Sequence, residues 1–332
     1  MAHMRYYYEL TISSSPHAHN KHTTRAIMRD VILALLPALL GSVFFFGLRA
    51  LAVTLLSMLT CFLAEKLWCK CMKQNDKSYD LSALVTGMLL AFVCPPTIAY
   101  WQLIIGDLFA IIVVKMLYGG IGRNLFNPAL AARAFLFSWP LAMSTWVKVG
   151  WENQAGLLST ADAITAATPM AALHQRQMPT DSLLDMFLGN TGGCIGETSA
   201  LLLLIGFGYL LVRKVITPRI PLFYIGTVAF VTFLFPMGND RLSWMAAQVL
   251  GGGLLLGAVF MATDYVTSPI TKRGQVIYAI GCGLLTVIIR YFGSYNEGVS
   301  YAILVMNACV VLLDRLGRPT KFGAPRKEGA KL

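Results

Sequence analysis

Apolar runs with few charged positions recur along the chain near 29–47, 48–65, 81–94, 97–118, 128–147, 198–216, 220–237, 244–263, 275–292 and 298–314. A hydrocarbon core about 30 Å thick takes roughly 17–25 such residues as one helix. The pattern therefore predicts an all-α polytopic membrane protein with about ten transmembrane helices. The longest polar interruption, 148–197, falls between the fifth and sixth runs. The expected organisation is a tail (1–28), a five-helix half (29–147), a loop (148–197), a second five-helix half (198–314) and a basic tail (315–332). No cleavable leader is expected, because the first 28 residues lack an apolar core segment.

Five spans per half would make homologous halves inverted repeats. A weak internal echo agrees: Thr86-Gly87-Met88-Leu89-Leu90-Ala91 runs into Pro95-Pro96, and Leu256-Gly257-Ala258-Val259-Phe260-Met261 runs into Ser268-Pro269. Asn127 then stands just ahead of one span and Asn307 inside another. The third span of each half is interrupted. Residues 81–94 are too few for a straight crossing and stop at Pro95-Pro96, while 244–263 contains Gly251-Gly252-Gly253. Such breaks have two readings, a midplane site for a ligand or ion and close helix packing over small residues.

Composition narrows the class. Of 332 residues 56% are hydrophobic and 13% charged, about half the charge of a soluble surface, which excludes an ordinary soluble enzyme. The net charge of +11 is accounted for by where the cations lie. With the N-terminus inside, 21 of the 27 lysines and arginines fall in inner segments or at the inner ends of spans, five in outer segments or at outer span ends, and Arg133 deeper within a span. That asymmetry follows the positive-inside rule and places both termini in the cytoplasm, with 148–197 outside. Anionic lipid suffices as the partner of the basic loops, and no nucleic acid is implied. Seven scattered cysteines form no CxxC pair, so a zinc ribbon or a self-ligated iron–sulfur cluster is not expected.

Ionisable residues inside spans are costly and point to function by default. Asp107, in the middle of 97–118, reads either as part of a cation path or as a partnered polar group. Asp264, ending the second interrupted helix, reads as an ion or ligand contact or as a residue capped by Thr267 or Ser268. Asn127 before Pro128 has the form of an N-cap with proline at the first helical position, and near Gly119, Gly120 and Gly122 it also admits an anion or ligand. Glu197 before Thr198 and Ser199 reads as a helix cap. In the outer loop, Asp162-Ala163-Ile164-Thr165-Ala166-Ala167-Thr168 is by composition a capped, Ala-rich helical turn with an exposed hydroxyl at Thr168.

That segment resembles the flavin-attachment motif Asp-x-x-Ser/Thr-Gly-Ala-Thr. Further strings in order resemble the same family, the RnfD/NqrB membrane subunits of ion-pumping electron-transport complexes: Tyr118-Gly119-Gly120-Ile121-Gly122-Arg123-Asn124-Leu125-Phe126-Asn127-Pro128-Ala129, Gly196-Glu197-Thr198-Ser199-Ala200, Met261-Ala262-Thr263-Asp264-Tyr265-Val266-Thr267-Ser268-Pro269, and the run from Glu297 to Asn307. Length and the short N-terminal tail fit the Rnf branch. The resemblance implies FMN joined by a phosphodiester to Thr168, with Asp162, Thr165 and Ala167 in the recognition motif and a flavin transferase acting on it. Ala166 departs from the family's glycine. It also implies a non-covalent riboflavin. The acidic residues beside the interrupted spans suggest an ion path through Asp107 and Asp264, and Asn127 and Asp264 are the candidate flavin or ion contacts. The implied activity is electron transfer between ferredoxin and NAD coupled to Na⁺ or H⁺ movement across the cell membrane, together with other subunits of the complex. A redox-free channel or transporter is the alternative that two inverted halves would also serve.

Overall fold

A computed structural model describes residues 23–73, 78–139, 143, 145–147, 156, 168–238 and 240–317. The elements ordered along these segments are helices. Two long helices, α1 (Thr24–Phe46) and α2 (Leu48–Cys71), form a hairpin joined by Gly47 alone, whose φ of +81° takes the left-handed turn that glycine adopts without a Cβ clash. Next come the short α3 (Ser82–Phe92), α4 (Tyr100–Leu108), which continues as a π-helical segment Phe109–Met116, and α5 (Pro128–Leu136). Two six-residue helices, α6 (Pro169–His174) and α7 (Leu183–Leu188), precede α8 (Ala200–Val212) and α9 (Arg219–Leu234). The chain then forms α10 (Arg241–Leu250), α11 (Leu254–Leu256) with its π-helical continuation Gly257–Met261, α12 (Lys272–Phe292) and α13 (Val299–Leu316).

Of the ten expected spans, four helices (α1, α2, α12 and α13) are long and apolar enough to cross a bilayer alone. A fifth crossing is available if α10 and 254–261, which meet at 60°, are counted together. Helices α3, α8 and α9 are apolar but shorter. The run expected over 128–147 is helical only to Leu136, and Pro140 follows closely; proline disfavours helical backbone at the residue before it. The two predicted interruptions are present: α3 has 11 residues, and the second break falls at Gly251–Gly253.

These two short segments form the centre of the fold. Ten of the 11 residues of α3 are buried, as are all eight residues of 254–261, as expected for helices that are apolar all round. Helices α1, α2 and α5 pack on α3, and α8, α9 and α13 pack on the second segment. The long helices instead leave apolar stripes uncovered, Leu55, Leu59, Leu63 and Leu67 on α2, and Ile277, Ile280, Leu284 and Ile288 on α12. One-turn spacing of exposed leucine and isoleucine is a lipid-facing surface, since lipid gives no reason to bury it. Close approach then holds the bundle: a Cβ on Gly206 of α8 would lie 2.2 Å from the Ala34 carbonyl oxygen of α1.

Candidate functional site

At one end of the bundle a cavity of about 320 Å³ opens between α5, the loop 191–198, the α10–α11 break and the loop 294–298. Its size falls in the range of roughly 300–1,000 Å³ usual for small-molecule sites. Thr168 is on its wall. The residue is half-buried and caps α6, its Oγ1 accepting from Ala171 N at 3.3 Å, with Pro169 at the first helical position. Asp162, Thr165 and Ala167 lie outside the described residues. An aromatic group stands on another wall: the Tyr295 and Tyr301 rings are 4.8 Å apart, and Phe137 lies 5.9 Å from Tyr295.

The cavity is bounded by buried charge. Arg133 Nη1 donates to Glu197 Oε1 at 3.1 Å and to Ser300 Oγ at 3.1 Å, while Nη2 donates to Glu297 Oε2. Burial alone would lift the Glu297 carboxyl, but Arg133 and Arg290 hold it below the usual carboxylate range. Arg290 is held by Gln248 and by backbone oxygens, donating to Glu297 O at 3.1 Å, Gly251 O at 3.3 Å, Gln248 O and Gln248 Oε1 at 3.1 Å. The glycine break makes room for this cluster, because a Cβ on Gly253 would stand 2.6 Å from Glu197 Oε1. Cys194, Glu197 and Glu297 present donor atoms within 4.8 Å of one another. The Arg133 guanidinium sits among all three, so the arrangement is an ion-pair cluster in which a metal ion would meet a fixed cation. Glu197, expected as a cap, is thus a partner of Arg133; Ser199 caps α8, accepting from Leu202 N at 3.4 Å.

Helix α5 runs from this cavity to a second one. Asn127, at its start, lines a space of about 90 Å³ together with Asp264, Lys115, Ser82 and Asn124. Pro128 lines this second space and Arg133, five residues on and about 7.5 Å along the helix at 1.5 Å per residue, lines the first. Asn127 is the N-cap expected: its Oδ1 accepts from Ala129 N at 3.1 Å and Leu130 N at 3.5 Å, and its Nδ2 donates to Met261 O at 3.3 Å. With the Asn307 amide oriented to satisfy its neighbours, its oxygen accepts from Asn127 N at 3.3 Å, so the two echoed asparagines meet. Asp264 Oδ2 accepts from Thr267 Oγ1 at 3.1 Å, the cap expected, and the residue also faces the cavity.

Between α2 and α4 runs a polar ladder inside the apolar core. Ser57, Cys61 and Glu65 recur every fourth residue on one face of α2 and meet Asp107 and Lys115, eight residues apart on the facing helix. Lys115 Nζ lies 2.9 Å from Glu65 Oε1 and donates to Ser82 Oγ at 2.6 Å. Asp107 is fully buried and has no cationic partner among the described residues; Ser57 and Cys61 approach its Oδ1. Sequence reasoning does not single out Arg133, Glu297, Tyr295 or the Glu65–Lys115 pair. An arginine inside a predicted span is the available signal for the first.

A helical bundle with apolar outer stripes, two interrupted inner helices and ion pairs buried in its interior has the make-up of a polytopic membrane protein. The chain belongs to the family described as NQR2, RnfD, RnfE, whose profile matches residues 11–323. It is similar to a subunit of the Na⁺-translocating ferredoxin:NAD⁺ oxidoreductase complex of Acetobacterium woodii, 45% identical over 97% of this chain and 98% of that one. It is also similar to the corresponding subunit of the proton-translocating ferredoxin:NAD⁺ oxidoreductase complex of Clostridium ljungdahlii, 41% identical over 95% and 97%. A third relative, from the ion-translocating oxidoreductase complex of Stutzerimonas stutzeri, is 39% identical over 90% and 91%.

Proposed function

We propose that this chain is the RnfD-type membrane component of an ion-translocating ferredoxin:NAD⁺ oxidoreductase, carrying FMN as a phosphodiester on Thr168. The relatives' names support the complex. The observation that carries the flavin reading is the position of Thr168, a half-buried hydroxyl on the wall of a cavity large enough for a small molecule. The residues present suit such a group. Phe137, Tyr295 and Tyr301 offer faces for a planar ring, and the Arg133–Glu197–Glu297 cluster supplies fixed polarity. Bound there, FMN would supply electron transfer. The chain's own part is to tether, orient and partly shield it. Esterification of Thr168 gives up only the long cap bond to Ala171.

The proposed topology is ten spans in two inverted halves, with Thr168 outside and both termini cytoplasmic. It is supported by the two buried inner segments and by the meeting of Asn127 with Asn307. The proposed cation route uses Asp107, the Glu65–Lys115 ladder and Asp264 at the second cavity. A non-covalent riboflavin is a further expected cofactor, and no residues and no step are assigned to it. The relatives are named for Na⁺ in one case and protons in another, so the names leave the ion open. Partners are the other subunits and a flavin transferase for maturation.

The test is a denaturing gel of native membranes under ultraviolet light. A fluorescent band of this protein that is lost in Thr168→Ala supports the reading. A dark wild-type band favours a redox-free transporter. In vesicles holding the intact complex, Asp107→Asn and Asp264→Asn should slow or uncouple cation uptake, and normal uptake in both would remove the route.

A further inference from the structure

Ser57 has one hydroxyl proton and two acceptors. Its Oγ lies 2.8 Å from the Gly87 carbonyl oxygen of α3 and 2.6 Å from Asp107 Oδ1. One O–H serves only one of them. If it went to Asp107, the Gly87 oxygen would face the Ser57 oxygen with no proton between them. If it went to Gly87, an ionised Asp107 would face the Ser57 lone pairs at 2.6 Å. Both contacts are satisfied at once when Asp107 itself carries a proton, donating to Ser57 Oγ while Ser57 donates to Gly87.

The surroundings agree. Asp107 is fully buried, and its Oδ2 meets no donor among the described residues. The remaining contact to Oδ1 is the Cys61 thiol at 3.3 Å, a weak donor. Thr60, one turn from Leu56, gives its proton to the Leu56 carbonyl. The nearest cation, Lys115, two turns along the same helix, is held by Glu65 and Ser82. An ionised carboxylate buried without a cation or strong donors costs several kcal/mol and takes up a proton instead. A sodium ion, a hard cation, takes oxygen ligands, and one of the two side chains that approach Oδ1 is a thiol.

We propose that Asp107 is a proton-binding site at the α2–α3–α4 junction and that the arrangement seen is its loaded, neutral form. Gly87 permits the junction: a Cβ there would stand 2.6 Å from the Ser57 carbonyl oxygen, so the half-helix α3 sits close enough to close the Asp107–Ser57–Gly87 chain. The use of this proton in transport rests on the cation route proposed above; its presence on Asp107 does not.

Infrared spectra of the purified intact complex in lipid vesicles test this near neutral pH, with and without Na⁺. A hydrogen-bonded carboxylic-acid C=O band that shifts in D₂O and is missing from Asp107→Asn is expected in both buffers. Ser57→Ala keeps the band but moves it, having removed its acceptor, and serves if the asparagine variant fails to assemble. The absence of an Asp107-dependent band in Na⁺-free buffer would overturn the proposal. Loss of the band on adding Na⁺ would overturn it too, making Na⁺ the occupant. Should the band be present while Asp107→Asn vesicles take up cations normally, the proton site stands and the route through it falls.

Discussion

Replacing Arg133 with methionine removes the one cation that binds both Glu197 and Glu297 directly. The side chain is 3% exposed and its partners Glu197 and Glu297 3% and 20%, so Glu197 has no bulk water to turn to while Glu297 reaches the cavity. The variant also forfeits the bond to Ser300 Oγ at 3.1 Å. Breaking a buried pair on one side costs about 3–5 kcal/mol, because the partner charge stays behind. Here Glu197 and Glu297 are left beside each other with Arg290 held by its own oxygen partners, so a loss within that range is expected. Adding Glu197→Leu and Glu297→Leu to Arg133→Met replaces the ionic cluster by apolar groups of similar size and should regain most of the loss, as such exchanges are often near neutral. Unfolding in mixed micelles, titrated with a denaturing detergent and followed by tryptophan fluorescence, gives both numbers. An Arg133→Met variant within about 1 kcal/mol of wild type, the value of an exposed ion pair, would refute the argument that this cluster holds the cavity together.

Asn127→Ala should cost about 1–2 kcal/mol, since it strips the α5 cap from Ala129 N and Leu130 N and severs the link to Met261 O. Asn127→Asp keeps the cap acceptor but buries a carboxylate whose second oxygen faces the Met261 carbonyl oxygen, so the same unfolding titration should place it no higher than alanine. Asp240, exposed at the start of α10, accepts from Ser243 N at 3.1 Å and Leu242 N at 3.3 Å, and its hydrogen bonds from the Ser243 side chain and backbone hold its carboxyl below the usual range. Its capping is therefore complete above the unfolded value of about 3.9 and is lost as the pH falls through the lower folded one. Amide exchange at Leu242 and Ser243 should rise in Asp240→Ala at neutral pH, while wild type keeps its protection down to the acid range.

Helix content and the two inner interruptions are legible in sequence, because apolar run length and a Pro-Pro or Gly-Gly-Gly break act locally. Asn127 is legible for the same reason, its cap being written in the Asn-Pro pair. What a local pattern does not carry is pairing across about 60 to 160 residues, the separations at which Arg133 meets its two glutamates. Glu197 looks like a cap beside Thr198 and Ser199, and only the fold brings Arg133 of α5 and Glu297 of a distant loop to it. The α2 ladder of Ser57, Cys61 and Glu65 is periodic, yet without Asp107 and Lys115 opposite, small polar residues on an apolar helix read as packing. Span lengths are hard to read for a related reason. Helices α3 and 254–261 are apolar because they are enclosed by protein, and hydropathy does not separate that from contact with lipid.

Thr168 is where the flavin reading stands or falls. Intact-mass analysis of the protein from native membranes, with peptide mapping of residues 162–178, should find one FMN phosphodiester, carried by Thr168 and missing from Thr168→Ala. A bare Thr168 peptide from fully active membranes would contradict the proposal that this cavity is built around a tethered flavin.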